Sequence, residues 1–354
     1  MSEPRRTVGP VAVVGLNMGG PLDLDGVRPF LRALFADRKL VRLPWLLRPV
    51  QGLLARWVAW RRSPRVRGMY SHIGGRSPLL ETSRDQVAAV CAQLAAAGLP
   101  SRPFVAMRYA SVRAAEMARA VAQARPAQIV LLSLYPQYSP ATGGSSIDDA
   151  RAALVAEASL RDTPLVVIER FGNLAGYVRA TAQMVLEAAE GLDMNAAQVL
   201  FSAHGMPESY GRSGDPYERE LRETFAAVRA LLPAAWHVSL AFQSRVGPAR
   251  WLGPATIDRV RELGRAGTQR LVLVPLAFVS DHVETLYELD VEVAHAARAA
   301  GISEVRRVAA LNTHPVFVAA LAELVREKCA AASASHETVG SAALRDADCK
   351  PVLA

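Results

Sequence analysis

Cysteine is scarce in this 354-residue chain: Cys91, Cys329 and Cys349 are the three present, scattered and with no CxxC spacing. Such a set builds neither a disulfide framework nor a redox pair, and it fits a reducing compartment. No apolar run approaches the roughly eighteen residues of a spanning helix. Several familiar chemistries are missing as well. There is no HExxH, no GxSxG and no PCxxC, so the zinc-protease helix, the nucleophile elbow and the zinc-deaminase site are excluded. LNMGGP (16–21) is neither a P-loop nor a GxGxxG fingerprint, and its glycines mark a turn. No nucleic-acid module is visible, so nucleic acid is not an expected partner. The opening MSEPRRTVGPVAVVGL sets basic residues before an apolar run, but the run is short and no small-residue cleavage site follows. It reads as a first strand, and the protein as cytoplasmic.

What is present describes a globular chain. Half of it is apolar (51%) and only 21% is charged, in a length that accommodates two domains. The net charge of +8 is concentrated at one end, because residues 1–70 hold thirteen Arg and Lys against four acids. In LVRLPWLLRPVQGLLARWVAWRR (40–62) those arginines alternate with Leu, Trp and Val. Two readings fit: a lip that dips into a membrane surface or grips an amphiphile, or a helix packed under the core with arginines snorkelling outward.

Apolar strands and helical stretches alternate along the whole chain, which predicts an α/β fold with doubly wound, mostly parallel sheets. Strands are expected at Val11–Leu16, Phe104–Tyr109, Ile129–Leu134, Leu165–Ile168, Val199–Ser202, His237–Phe242 and in the run from Leu271. Helices are expected between them, with a turn-rich connection over 70–83 and a last helix at Pro315–Ala330. LSLYPQYS (132–139) and LVPLAFVSD (273–281) occupy matching places in two halves. The expected organisation is therefore an N-terminal domain over 8–164, a C-terminal domain over 165–330, and a loose Ala- and Ser-rich tail over 331–354.

The chain is organised around LVLVPLAFVSDHVETLYELDVE (271–292). Its apolar half reads as a strand buried on both faces. In the helix that follows, Asp281, Glu284, Glu288 and Glu292 share one face at spacings of three, four and four. Stacked like charges repel, so the stripe needs solvent, a metal ion or protons in transit. It begins beyond a strand's carboxyl end, where open α/β sheets bind ligands, with His282 beside it. His204, in SAHGMP (202–207), ends another strand of the same half. An imidazole facing carboxylates suits a divalent metal, or a base that feeds protons to an acidic relay.

Eight motifs in order now carry a resemblance: LNMGGP (16–21), YSHIGGRSPL (70–79), MRY (107–109), LYPQYS (134–139), FSAHGMPE (201–208), GDPYE (214–218), FQSRVGPARWLGP (242–254) and FVSDHVETLYELD (278–290). Over roughly residues 10–325 the chain resembles the ferrochelatases, which insert Fe²⁺ into a porphyrin at the end of haem synthesis. The resemblance implies two Rossmann-like domains, each with a mostly parallel four-stranded sheet, and a porphyrin held between them. It implies His204 and Glu284 as catalytic and metal-contacting residues, set on opposite sides of the ring plane, one side taking protons while the other delivers iron. Asp281, His282, Glu288 and Glu292 match the acidic path. Met18, Arg62, Tyr70, Ser77, Arg108, Tyr109, Tyr135, Trp251 and Phe278 match porphyrin contacts, with Arg62, Tyr70 and Ser77 facing its propionates.

Two departures matter. Some family members hold a [2Fe–2S] cluster with one Cys just after YPQYS and three in a C-terminal extension. Here Pro140 takes the first place and four thiolates cannot be assembled. The expectation is thus Fe²⁺ as substrate, no permanently bound cofactor and no cluster. Arg76 stands where Gly is commoner in IGGRSP and adds a cation near the mouth. The resemblance further implies protoporphyrin IX over coproporphyrin, because Met18 stands where the coproporphyrin-using branch tends to have Tyr, together with SDHVETLYELD; a non-catalytic porphyrin or haem carrier is the alternative from another class, and a cobalt chelatase is a distant one, since those relatives usually offer a second His near the first and this chain has no such cluster. A monomer or homodimer in peripheral contact with the cytoplasmic membrane surface is expected.

Overall fold

Burial on both faces dictates the first strand: every residue of Val11–Asn17 (β1) is buried, as an unbroken apolar run in a parallel sheet must be. The computed structural model describes residues 9–41, 43, 45–332 and 338–341. After β1 come helix Val27–Ala36 (α1), a 3₁₀ segment Trp45–Val50, the long helix Gln51–His72 (α2) and Leu79–Ala96 (α3). The chain then alternates through Ser101–Met107 (β2), Ala114–Ala124 (α4), Gln128–Ser133 (β3), Gly143–Ala156 (α5) and Leu165–Ile168 (β4). Its second half runs Ala175–Ala189 (α6), Ala197–His204 (β5), Glu208–Arg212 (α7), Tyr217–Arg229 (α8), His237–Gln243 (β6), Thr256–Arg265 (α9) and Arg270–Pro275 (β7). A π-helical segment, Glu284–Val293, continues into Ala294–Ala299 (α10), then Glu304–Arg307 (β8) and Pro315–Ala332 (α11).

These strands form two four-stranded sheets, ordered β2-β1-β3-β4 and β6-β5-β7-β8, and every pairing is parallel. The two halves repeat one topology, each with its first strand inside the sheet. Between the sheets lies one continuous core. Val13, Val130 and Val166 of the first sheet and Val199, Phe201 and Val272 of the second belong to it, with Val87, Tyr177 and Phe317 from the helices between. Smaller clusters close the outer faces, under α4 and α5 on one side and under α9, α10 and the π-helical segment on the other.

Four expectations change. A boundary at 164/165 would assign Leu165–Ile168 to the second domain, yet β4 pairs with β3 in the first sheet. The last helix likewise does not stay in the second half, because α11 packs on both α3 and α6. The tail is not loose where it is described: Val339 is buried, and its N–H and that of Gly340 donate to the carbonyls of Thr163 and Arg161 at 3.0 and 2.9 Å. The rest of the 331–354 expectation, beyond Ala332 and Thr338–Ser341, falls outside the described residues. Turn-rich 70–83 is turn only in its centre, where Gly74 and Gly75 adopt φ of +91° and +80° between α2 and α3. The strand β8 has no counterpart in the reading, since its four half-buried residues, EVRR, carry no apolar run.

Candidate active site

The parallel register delivers the site. His204 is the last residue of β5 and lies opposite Gln243, the last of β6, while Ser202 lies opposite Pro275 at the end of β7. Strand ends in a parallel sheet open onto one edge, so His204, Gln243 and the segment after β7 converge there. His204 Nδ1 sits 2.8 Å from Glu284 Oε2, and the Tyr217 hydroxyl donates to the His204 carbonyl at 2.8 Å. Trp251 and Phe278 stand edge-on to the imidazole with ring centres 6.5 and 6.4 Å away, and Phe278 lies 4.7 Å from the His282 ring. At 2.8 Å no macrocycle fits between His204 and Glu284. The expectation that they flank the ring plane is corrected: they form one unit on one side.

Behind that pair the carboxylates separate by environment. In a π-helix, with i→i+5 bonding, residues four apart lie nearly above one another, so Glu284, Glu288 and Glu292 share a face. The Ser244 hydroxyl bridges the first two, 2.6 Å from Glu288 Oε2 and 3.3 Å from Glu284 Oε2. The Gln243 amide is fixed by Ser202, which donates to its Oε1 at 2.7 Å; its Nε2 then donates to the Glu284 carbonyl at 2.8 Å and to Glu288 at 3.2 Å. Burial alone would raise the Glu284 carboxyl, but His204 beside it overrides that and holds it well below the carboxylate range. Burial opposes a charge on His204, yet the Glu284 carboxylate beside it lifts its pKa. Burial, then the Glu284 charge, push Glu288 up to about 7. Burial lowers the pKa of His282, whose Nε2 is 3.9 Å from Glu284 Oε2.

The two ends of the expected acidic path behave differently. Asp281 is consumed by structure: Arg307 reaches it at 2.8 Å, Asn312 donates to it at 3.0 Å and Thr285 at 2.9 Å. It precedes the π-helical segment and leaves the shared face, which corrects its place in a proton path. Glu292, at the outer end, meets Arg65 of α2 at 3.1 Å. Among the described residues no group of three or more His, Cys, Asp or Glu side chains is arranged to hold a metal ion; His204 and Glu284 offer two.

The opposite wall comes from the first half. Tyr70 and Ser77 are buried beside Gly20, where an added Cβ would come within 2.4 Å of Ser77 Oγ, so the LNMGGP turn can only close with glycine there. Met18 and Val283 pack with Tyr70 in one small cluster under α1 and α2. Burial and then the Glu284 charge raise the Tyr70 hydroxyl, and the same charge adds to the rise at Tyr135. That carboxylate is therefore felt by residues of the first half, which face the same cleft. The Arg62 guanidinium lies 5.5 Å over the Phe35 ring. Arg108 and Tyr109 are already engaged. Arg108 pairs with Asp37 and Asp149 at 2.9 and 3.4 Å, and the Tyr109 hydroxyl donates to Asp37 at 2.8 Å. Arg76 pairs with Glu81 at 3.3 Å on the exposed surface.

Four residues that organise the site were not singled out in the sequence. Gln243, Ser244 and Tyr217 lie inside quoted motifs, FQSRVGP and GDPYE, so position was legible but role was not. Asp37, in FADRK, carries no signal at all; its importance comes from the side chains of Arg108, Tyr109 and Ser145 and the Lys39 N–H, which meet on it.

Comparisons with known proteins bear on the family of the chain. A family model described as ferrochelatase matches residues 10–329. A ferrochelatase of Nostoc punctiforme is 41% identical over 322 residues, covering 90% of this chain and 82% of that protein. One from Geotalea uraniireducens is 40% identical over 334 residues, covering 93% and 98%. Among solved structures, SirB from Bacillus subtilis with Fe³⁺ aligns with a TM-score of 0.53 at 15% identity, over 72% of this chain and 93% of that one. That last likeness concerns the fold alone.

Proposed function

Since the chain belongs to the ferrochelatase family, an enzyme family that inserts metal into porphyrin in the final step of haem synthesis, we propose that its substrates are protoporphyrin IX and Fe²⁺. The observation that carries the mechanism is the 2.8 Å His204–Glu284 pair with Glu288 bridged behind it. Insertion replaces two pyrrole protons by one Fe²⁺, so two protons must leave as the metal–nitrogen bonds form. The neutral imidazole of His204 takes a proton from a pyrrole nitrogen, and the imidazolium so formed is held by the Glu284 carboxylate. Ser244 links Glu284 to Glu288, whose pKa of about 7 lets it accept and release a proton near neutrality. Glu292 beside Arg65 is the outlet to solvent. An imidazolium on this face repels Fe²⁺, so the metal arrives on the other, toward the Met18 side. Trp251 and Phe278 hold the macrocycle by its apolar faces, and Arg62, Tyr70 and Ser77 take its propionates.

The test is anaerobic loss of protoporphyrin fluorescence on adding Fe²⁺, repeated with coproporphyrin III. Glu284→Gln is expected to lower kcat by about 10²–10⁴-fold while porphyrin binding persists, and His204→Ala to do the same. Binding without turnover in the wild type would leave only a carrier, and faster turnover of coproporphyrin would overturn the choice of substrate.

We further propose no [2Fe–2S] cluster. Cys91 and Cys329 are buried in the core, Cys349 lies outside the described residues, and three cysteines cannot supply four thiolates. Acid-labile sulfide in the purified protein would sink that reading. The lip supports peripheral attachment to a cytoplasmic membrane surface. Small residues Ala55, Ala59 and Ser63 of α2 are buried, whereas Trp45, Trp57 and Trp60 are 73%, 59% and 55% exposed among Arg48, Arg56 and Arg61. Among the described residues no helix is long and apolar enough to cross a membrane.

A further inference from the structure

Glu284 sits on the second half and Met18 on the first, so catalysis depends on how the two halves are registered. Buried side chains bond across them, Gln137 to Thr224 and Ser139 to Asp215 among them, and another leads to the catalytic segment. Gln86, on α3, has no exposed surface, and its amide is nearly saturated. Its Nε2 donates to the carbonyls of Val279 and Asn312 at 3.0 and 2.9 Å, and its Oε1 accepts from Ser280 Oγ at 3.1 Å. One turn earlier on α3, Ser83 Oγ accepts from Asn17 Nδ2 at 3.2 Å, and Asn17 Oδ1 accepts from the Met18 N–H at 2.8 Å. The Gln86 helix is thus pinned to the turn that presents Met18.

On the far side the same contacts lead to the catalytic segment. Asn312 adopts φ of +43°, and its side chain accepts from the Asp281 N–H and donates to Asp281 Oδ2, both at 3.0 Å. Asp281 Oδ1 accepts from Thr285 in the first turn of the π-helical segment, one residue beyond Glu284. We infer that Gln86 is a positioning residue, which sets the His204–Glu284 unit against the Met18 wall across the cleft. A buried amide suits this task. Two carbonyls require two N–H donors, which no hydroxyl provides, and neither a carboxylate nor an ammonium is tolerated without a partner.

The inference rests on the chelatase reading, and the assay separates the two. Kinetics of porphyrin metallation would be measured for the full chain, for Gln86→Met, for Asn312→Gly and for the double variant. Gly keeps the left-handed backbone at 312 while removing the link to Asp281. For each single variant kcat is expected to fall about 10-fold or more, with KM for porphyrin within about threefold, since a misplacement on the order of 1 Å is felt in the chemical step. The double variant is expected to lose no more than the worse single, because both cut one chain of contacts. Thermal unfolding gives the folded fraction to which rates are normalised. A wild-type kcat in folded Gln86→Met, or losses that add in the double variant, would overturn the inference. If Gln86→Met fails to fold, Asn312→Gly decides, and a wild-type kcat there is equally fatal. No turnover in the wild type would instead overturn the reading of the site.

Discussion

Glu288 changes charge near neutrality. Its pKa of about 7 lies above the ordinary 4.5 because burial and the Glu284 charge both disfavour ionisation. The folded chain therefore binds this proton more tightly than the unfolded one. The resulting stability is fully present below about pH 4.5 and is lost as pH rises through about 7. Glu288→Gln removes the titration without changing shape. It is expected to be more stable than wild type by about 1–3 kcal/mol at pH 8, with the gap closing below pH 5, as read by urea melts. A gap independent of pH would mean that Glu288 does not titrate there. Glu284 has the opposite sign: its lowered pKa, held by His204, contributes stability above the ordinary carboxylate range that is lost only in strong acid.

At the scale of elements, two segments depart from regular helix and both serve the site. The π-helical segment keeps three glutamates on one face, which an α-helix with 3.6 residues per turn would let drift. The 3₁₀–α2 lip leaves its tryptophans in solvent while packing through small residues, so the reading in which it lies beneath the core is set aside. Replacing Trp45, Trp57 and Trp60 together with Gln is expected to abolish co-sedimentation with anionic liposomes. It should leave kcat with detergent-dispersed porphyrin within about twofold, since each lost indole costs interfacial area and not chemistry. High salt should weaken wild-type binding through the arginines. Unaltered sedimentation of the triple variant would exclude the lip as the contact.

For the whole molecule, the shared core between the sheets has a thermodynamic consequence. Phe317 of α11 is fully buried, with ring centres 5.7 Å from Phe171 and 6.0 Å from Tyr177. Phe317→Ala is expected to cost about 3–5 kcal/mol and to move a single calorimetric transition downward. Two separated transitions would show that the halves unfold independently. The same core explains why a boundary read at 165 fails: composition does not shift where β4 ends, and the helices between the sheets belong to both.

The sequence by itself determined the alternation of strand and helix, the all-important strand ends, and the eight motifs that bring His204, Glu284, Trp251 and Phe278 to one edge. It did so because buried parallel strands read as unbroken apolar runs and because parallel order places their carboxyl ends together. Side-chain partnership was left to tertiary structure. That Asp281 belongs to Arg307 and Asn312, that Arg108 belongs to Asp37, and that His204 touches Glu284 instead of facing it across a ring are contacts between residues tens of positions apart. No spacing along the chain encodes them; they follow from the register of two sheets and the helices clamped between.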